Sequence, residues 1–411
     1  MLRRLFWGFW VVMLLVACRG EGNQLPPTPG TPTLNPYSTF PAATMTFNGT
    51  TAAASPVLPS PVFPSPAYGV HLAQWWNLEA LDENLLQTQA MGFGWVKQKF
   101  AWRDIEPAVK GHYDWYRADE IVRRINEAGL NLLVRLDVQP VWTIASLPEH
   151  LWAGNQPPVN YQDFGDFCYA LAARYRGRVQ AYQVWNEPNL SREWGNLAPS
   201  PVEYTELLRV CYLGIKTADP QAIVISAGLA PTGTQPPLAM PDTEFLQGMY
   251  DAGAAAYFDV LGLNAPGYKA PPETDPAVAT NPDAGFGGHR WNVFRHVEDM
   301  RAIMVANGDE AKQVAILEMG WMREQSYFPD YQWHGVSEAQ QAEYLVGAYR
   351  YAQEHWQPWI GLMVTIYMAD MNWRPEVNEQ YWWAFVLPDG TFTAAYQALQ
   401  AMEKGEAGIK E

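Results

Sequence analysis

From Pro66 onward the chain alternates two textures. Apolar runs of three to six residues are separated by longer stretches whose apolar positions recur at helical spacing. The runs predict strands at Gly69–His71, Trp95–Phe100, Asn131–Leu136, Ala181–Trp185, Ala222–Ser226, Val260–Leu263, Val314–Leu317 and Leu362–Ile366. Between them the spacing predicts helices that include Ala118–Ala128, Tyr161–Tyr175, Pro201–Ala218, Trp291–Asn307 and Ser337–His355. Ser200, Pro201 and Glu203 supply an N-cap, a first-turn proline and a capping-box acid, and Ser337 with Gln340 supplies another box. Gly92 and Gly129 stand just before strands, as helix stops. Strands alternating with helices call for a parallel sheet, and eight is the number that closes into a (β/α)₈ barrel. A doubly wound open sheet would usually carry a glycine-rich turn after its first strand. The segment after the first strand, "LAQWWNLEA", has none. The expected fold is therefore α/β, a single TIM barrel with no internal repeat.

The N-terminal sixth reads differently. Arg3 and Arg4 precede an apolar run from Leu5 to Ala17, too short for a span of roughly 20 residues and suited to a signal peptide. The following Leu15-Val16-Ala17-Cys18 resembles the lipobox of bacterial lipoproteins, which implies cleavage before Cys18 and lipidation of its thiol. An ordinary signal peptide or an uncleaved anchor is the plainer alternative. Residues 18–66 are rich in Pro, Thr, Ser and Ala with few charges, the composition of a semi-rigid spacer. The expected organisation is a signal peptide over 1–17, lipidated Cys18 and spacer over 18–66, a barrel over 67–402 and a tail over 403–411. That arrangement places a monomeric domain outside the cytoplasm, held at a bacterial cell surface by a lipid anchor in the membrane. The formal charge of −16 repels phosphate backbones, so no nucleic-acid partner is expected, although solubility is the plainer meaning of the charge. Cys168 and Cys211 each fall on an apolar helical pattern and read first as buried thiols; a disulfide is open, because sequence does not set their separation.

In a (β/α)₈ barrel the residues closing each strand at its C-terminal end face the site. The fourth strand closes with Asn186-Glu187-Pro188 and the seventh with Glu318. Two carboxylates facing each other across the mouth suit glycosidic hydrolysis: one protonates the leaving oxygen, and the other, ionised, attacks or activates water. A structural glutamate at the rim is the alternative for each. The histidines, His71 and His112 among them, show no metal spacing, and neither metal nor organic cofactor is expected.

"WNEPN" on strand four, "ILEMGW" on strand seven, "WVKQKFAWRDIEPAVKGHYDW" around strand two and "YWWAFVLPDGTFTAAYQAL" near the end resemble glycoside hydrolase clan A, the retaining TIM-barrel glycosidases, in particular families such as 5 and 39. The resemblance implies Glu187 as general acid/base, Glu318 as nucleophile and Asn186 as the hydrogen-bond partner of the sugar 2-hydroxyl. It implies a carbohydrate substrate, β-linked oligo- or polysaccharides. Tyr268 stands where a clan tyrosine bonds the nucleophile, although Asn264 replaces the histidine that often precedes it; a core or loop tyrosine is equally compatible. Lys97 occupies a place where relatives often carry Arg, either orienting the nucleophile or sitting in an ion pair. Of 19 tryptophans, Trp76, Trp102, Trp142, Trp194, Trp321 and Trp373 fall at or soon after strand ends. Trp102, Trp142, Trp321 and Trp373 are read as sugar-binding faces, with packing at the barrel top as the alternative. A non-catalytic glycan-binding surface protein on an inherited barrel is the rival to the hydrolase, and a transglycosylase would use the same two glutamates.

Overall fold

The computed structural model describes residues 62–405; the segments read as signal peptide, Cys18, most of the spacer and the end of the tail lie outside the described residues. Eight parallel strands follow one another in the expected order: β1 (Ala67–Leu72), β2 (Trp95–Ala101), β3 (Asn131–Asp137), β4 (Ala181–Val184), β5 (Ile223–Ile225), β6 (Leu261–Pro266), β7 (Val314–Gly320) and β8 (Ile360–Met368). The sheet order is β5-β4-β3-β2-β1-β8-β7-β6. Parallel bridges Ile225–Val260 and Leu229–Leu263 join β5 to β6 and bring the two edges together as a (β/α)₈ barrel.

The helices of eight or more residues among the described residues are α1 (Leu81–Ala90), α2 (Tyr116–Glu127), α3 (Tyr161–Arg174), α4 (Pro201–Ala218), α5 (Asp242–Asp251), α6 (Val297–Ala306), α7 (Glu338–His355) and α8 (Ala394–Ala401). The start signals act as read. Ser200 accepts from the Glu203 N–H with Pro201 in the first turn, and Ser337 and Gln340 form a reciprocal capping box. Gly92 and Gly129 take φ of 72° and 68°, as helix stops do. The helix predicted from Trp291 begins only at Val297. Val293 is extended (φ −137°, ψ 151°), and its side chain is buried with Ala270 and Ala279, which breaks the helical run.

Alternation along the strands divides the core. Trp95, Leu133, Ala181, Ile225, Ala315, Leu317, Leu362 and Val364 fill the inside of the barrel. Val96, Phe100, Leu132 and Val134 face the helices. Phe63, within the segment read as spacer, plugs the floor. It is buried edge-on against Trp95, its N–H donates to Gln313 Oε1 at 2.8 Å, and its carbonyl accepts from Gln313 Nε2 at 3.1 Å. Cys168 on α3 and Cys211 on α4 form a disulfide with a Cα–Cα distance of 5.3 Å. It closes a 43-residue separation, which in the chain-entropy picture stabilises the fold by about 4 kcal/mol.

Candidate active site

The inward row of β2 runs Trp95, Lys97, Lys99, and that of β3 runs Leu133, Arg135, Asp137, so apolar packing below gives way to charge at the C-terminal mouth. Register irregularities flank Glu318 on β7, and they turn it to the mouth beside inward-facing Leu317. The Lys97 ammonium donates to Glu318 Oε1 at 3.1 Å and to the Leu317 carbonyl at 3.0 Å. Arg135 Nη1 donates to the same Oε1 at 3.3 Å, and His71 Nδ1 lies 3.6 Å away. Burial alone would push the Glu318 carboxyl up. The charges of Lys97 and Arg135, with hydrogen bonds from Lys97 and the Tyr367 hydroxyl, hold it below the usual carboxylate value instead. Burial in turn pushes the Lys97 ammonium down to about 8, against the pull of Glu318. His71 is held neutral by burial and by Lys97, Arg135 and Lys99.

Glu187 sits in a different setting. The chain leaves β4 through left-handed backbone, φ 71° at Trp185 and 41° at Glu187, an uncommon state for such residues. The turn is held by the Glu187 N–H donating to the Gly228 carbonyl at 3.2 Å and by Leu190 N–H donating to the Glu187 carbonyl at 2.9 Å. Asn264 Nδ2 donates to Glu187 Oε1 at 2.9 Å, and Arg192 Nη2 to Oε2 at 3.2 Å. Asn264 pairs in register with Glu318, so one β6 residue is the neighbour of the β7 carboxylate and the hydrogen-bond donor to the β4 carboxylate. A Cβ at Gly228 would overlap the Asn264 amide, which explains the glycine there. Arg135 Nη1 also donates to Asn186 Oδ1 at 3.2 Å, so the Asn186 amide oxygen is engaged from β3. A single guanidinium nitrogen thus touches both Glu318 and the residue preceding Glu187.

The other predicted residues separate. Trp102 is fully buried on the helix side, stacked on Phe167 at 5.3 Å with its indole N–H on Glu106 at 2.6 Å. The chain leaves β2 at Ala101, and the next residue turns towards α3 rather than the mouth. Trp321 is also fully buried, donating to the Ala270 carbonyl at 2.9 Å and lying against Gly267, where any Cβ would strike its ring. Neither offers a face to a sugar. Trp142 is half-buried, edge-on to Trp102 at 5.7 Å and bonded to the Glu106 carbonyl, and belongs to the same cluster. Trp194 is buried, whereas Trp76 is 57% exposed beneath the Arg117 guanidinium. Trp373 is half-buried and meets Tyr367 edge-on at 5.4 Å, which brings it to the mouth. The tyrosine on Glu318 is Tyr367 from β8. The Tyr268 hydroxyl instead donates to the Pro231 carbonyl at 3.3 Å, and its ring stacks on Trp333 at 5.6 Å.

Sequence reasoning did not find Arg135, Arg192, Tyr367 or Glu379. Glu379, in the loop after β8, accepts from the Trp383 indole at 2.7 Å. Burial pushes its carboxyl up to about 7 against that hydrogen bond and Arg192, and the negative charges of Glu318 and Glu187 add to the rise. The mouth therefore holds a third carboxylate in electrostatic reach of the other two. Among the described residues, no group of three or more His, Cys, Asp or Glu side chains is arranged to hold a metal ion.

Residues 71–189, from β1 through the turn carrying Glu187, match the family described as Beta-galactosidase, glycoside hydrolase family 42. No curated protein matches the chain. Among solved structures, a family 39 glycoside hydrolase from the gut symbiont Bacteroides cellulosilyticus WH2 superposes with a TM-score of 0.59 at 18% identity, covering 83% of this chain and 63% of that one. GH5_18 from Streptomyces cattleya, in complex with GlcNAc, gives 0.56 at 15% identity, covering 82% and 79%. A beta-galactosidase from the psychrophilic Marinomonas ef1 gives 0.51 at 14%, covering 81% and 58%. The chain spans under two thirds of the length of the first and third of these. The resemblance to clan A thus holds in a family match over the first four strands and in the fold over most of the chain: the protein is a glycoside hydrolase-like TIM barrel.

Proposed function

We propose that the protein is a retaining glycoside hydrolase acting on β-linked oligo- or polysaccharides by double displacement. The observation that carries this reading is the contrast between the two strand-end carboxylates. Glu318 is buried on two cations and a tyrosine hydroxyl, an environment that favours an ionised nucleophile. Glu187 is held by an amide and a part-exposed arginine, in a turn that aims it at the same space. In the first step the Glu318 carboxylate attacks the anomeric carbon while Glu187 protonates the departing oxygen. In the second, Glu187 takes a proton from water, which displaces Glu318 and regenerates both groups. Asn186, fixed by Arg135, hydrogen-bonds the sugar 2-hydroxyl. Trp373 and the stacked Tyr268 and Trp333 offer aromatic faces around the mouth. The names of the similar structures include a beta-galactosidase and an exo-beta-1,4-mannosidase, which supports β-glycosides as the substrate class. A panel of aryl β-glycosides and polysaccharides tests the reading. Turnover of at least one supports it, and binding without turnover of any favours the non-catalytic glycan-binding protein.

The pH dependence follows from the same contacts. Glu318 must be ionised, and Lys97 and Arg135 hold its carboxyl below the ordinary value, so activity should persist into more acid solution than an unpaired glutamate would allow and be lost as pH falls through that lowered value. Lys97 loses its charge near 8 and withdraws a counter-ion from Glu318. A bell-shaped kcat/KM closed by about pH 8 is expected, with limbs that belong to the coupled groups together. Lys97→Met should move the acid limb upward. A rate flat from acid through alkaline pH would contradict the carboxylate pair.

Export and anchoring complete the proposal. The Cys168–Cys211 disulfide supports an oxidising compartment, and "LVAC" supports lipidation at Cys18. A fatty-acid probe should label the wild-type chain and not Cys18→Ala; equal labelling of both would refute the anchor.

A further inference from the structure

Among the described residues, one cation at the mouth has no hydrogen-bond or ion-pair partner. Lys97 is engaged with Glu318 and the Leu317 carbonyl. Arg135 is engaged with Glu318 and Asn186 and lies 3.0 Å from Asp137. Lys99, the next inward residue of β2, is partly buried, yet its ammonium makes no hydrogen bond or ion pair among the described residues. The nearby carboxylates are already taken: Asp137 pairs with Arg135, and Asp104 accepts from the Trp75 indole at 2.7 Å and faces Arg103. Burial, and the guanidiniums of Arg135 and Arg103, disfavour the Lys99 charge, while Asp137 and Asp104 support it. The Lys99 ammonium is not among the buried unpaired polar atoms, so it reaches the open mouth as a cationic donor that no protein group among the described residues occupies.

The walls of the mouth also differ in sign. The β2–β3 wall carries Lys97, Lys99 and Arg135 with the single carboxylate Asp137, whereas Glu187, Glu193 and Glu379, with the cation Arg192, come from the β4 and β8 loops. The acceptors of the second wall suit saccharide hydroxyls. The free donor of the first has nothing of matching charge in a neutral sugar. We propose that Lys99 is a specificity-determining residue that binds an anionic substituent of the glycan, a uronate carboxylate or a sulfate ester, and that the preferred substrates are acidic glycans. The net charge of −16 does not oppose this, because screening over about 8 Å leaves a bound sugar governed by the adjacent wall.

The inference rests on the mouth being a saccharide site, and binding can be measured apart from turnover. The full chain carrying Glu318→Gln, with and without Lys99→Met, is titrated calorimetrically with paired oligosaccharides: uronate-bearing, sulfated, and uncharged counterparts of the same backbones. A charge-assisted contact predicts that an acidic member binds about tenfold or more tighter than its counterpart, and that Lys99→Met brings the ratio to one. The uronate and sulfate arms identify the source of the anion. The melting temperature of Lys99→Met should hold, because the ammonium bonds no protein group among the described residues. Equal affinity within every pair, a ratio that survives Lys99→Met, binding of no acidic glycan, or a lowered melting temperature with general loss of binding would each overturn the proposal. Turnover by the wild-type chain is assayed in parallel. Lys99-dependent acidic binding without turnover defeats the hydrolase reading alone, and turnover of neutral glycans without it defeats this inference alone.

Discussion

Glu318→Gln should lower kcat/KM on the order of 10⁵-fold or more, the scale expected when a covalent nucleophile is removed from a site that acts as a unit. The amide keeps the shape of the side chain and cannot form the glycosyl-enzyme. The same change leaves Arg135 and Lys97 beside a neutral group. Breaking a buried pair costs about 3–5 kcal/mol. Lys97, already held to about 8, can shed its proton and relieve part of that, so a stability loss near the lower end is expected. A melting curve separates the two effects: the variant should be folded at assay temperature and catalytically silent. Glu318→Ala with added azide should regain turnover of activated aryl glycosides, because a small anion can attack from the vacated position. A variant retaining a tenth of wild-type activity would remove Glu318 from the nucleophile's role.

Glu187→Ala should show a loss that depends on the leaving group. With poor leaving groups, proton donation contributes about 10²- to 10⁴-fold, and kcat/KM should fall by that amount. With an activated aryl glycoside the first step needs little acid, so kcat/KM should fall far less. The second step still lacks its base, so kcat should drop and KM with it as the glycosyl-enzyme accumulates. Arg192 and Asn264 lose their shared carboxylate, but Glu187 is part-exposed and the structural cost is small. An equal loss across leaving groups would point to a binding role for Glu187.

The sequence made the strands and the two glutamates legible because strand ends in a barrel have one destination. Side-chain direction one residue beyond a strand was less legible. Trp102 and Trp321 follow strand ends as closely as Glu187 does, yet both turn into the helix layer, where large apolar rings gain most from burial. Arg135 sits inside the apolar run "NLLVRLD", and only closure of the barrel shows that its alternation points inward. Tyr367 escaped because β8 runs two residues past the predicted end at Ile366. The Cys168–Cys211 bridge depended on the pairing of α3 with α4, which periodicity does not encode. Phe63 lies in a proline-rich segment, and its place under Trp95 follows from the barrel's hollow floor rather than from local composition.

The anomeric configuration of the first-formed sugar tests the central claim most directly. Retaining enzymes hold their carboxyl groups roughly 5–5.5 Å apart so that the nucleophile reaches the anomeric carbon, whereas inverting ones leave roughly 6.5–9.5 Å for a water. The account predicts the shorter spacing: Arg135 Nη1 contacts both Glu318 and Asn186, and Asn264, the register partner of Glu318, donates to Glu187. Proton NMR during the first minutes of hydrolysis of a β-glycoside should show the β-anomer appearing first, followed by mutarotation. An α-anomer appearing first would contradict the double displacement and the assignment of Glu318 as its nucleophile.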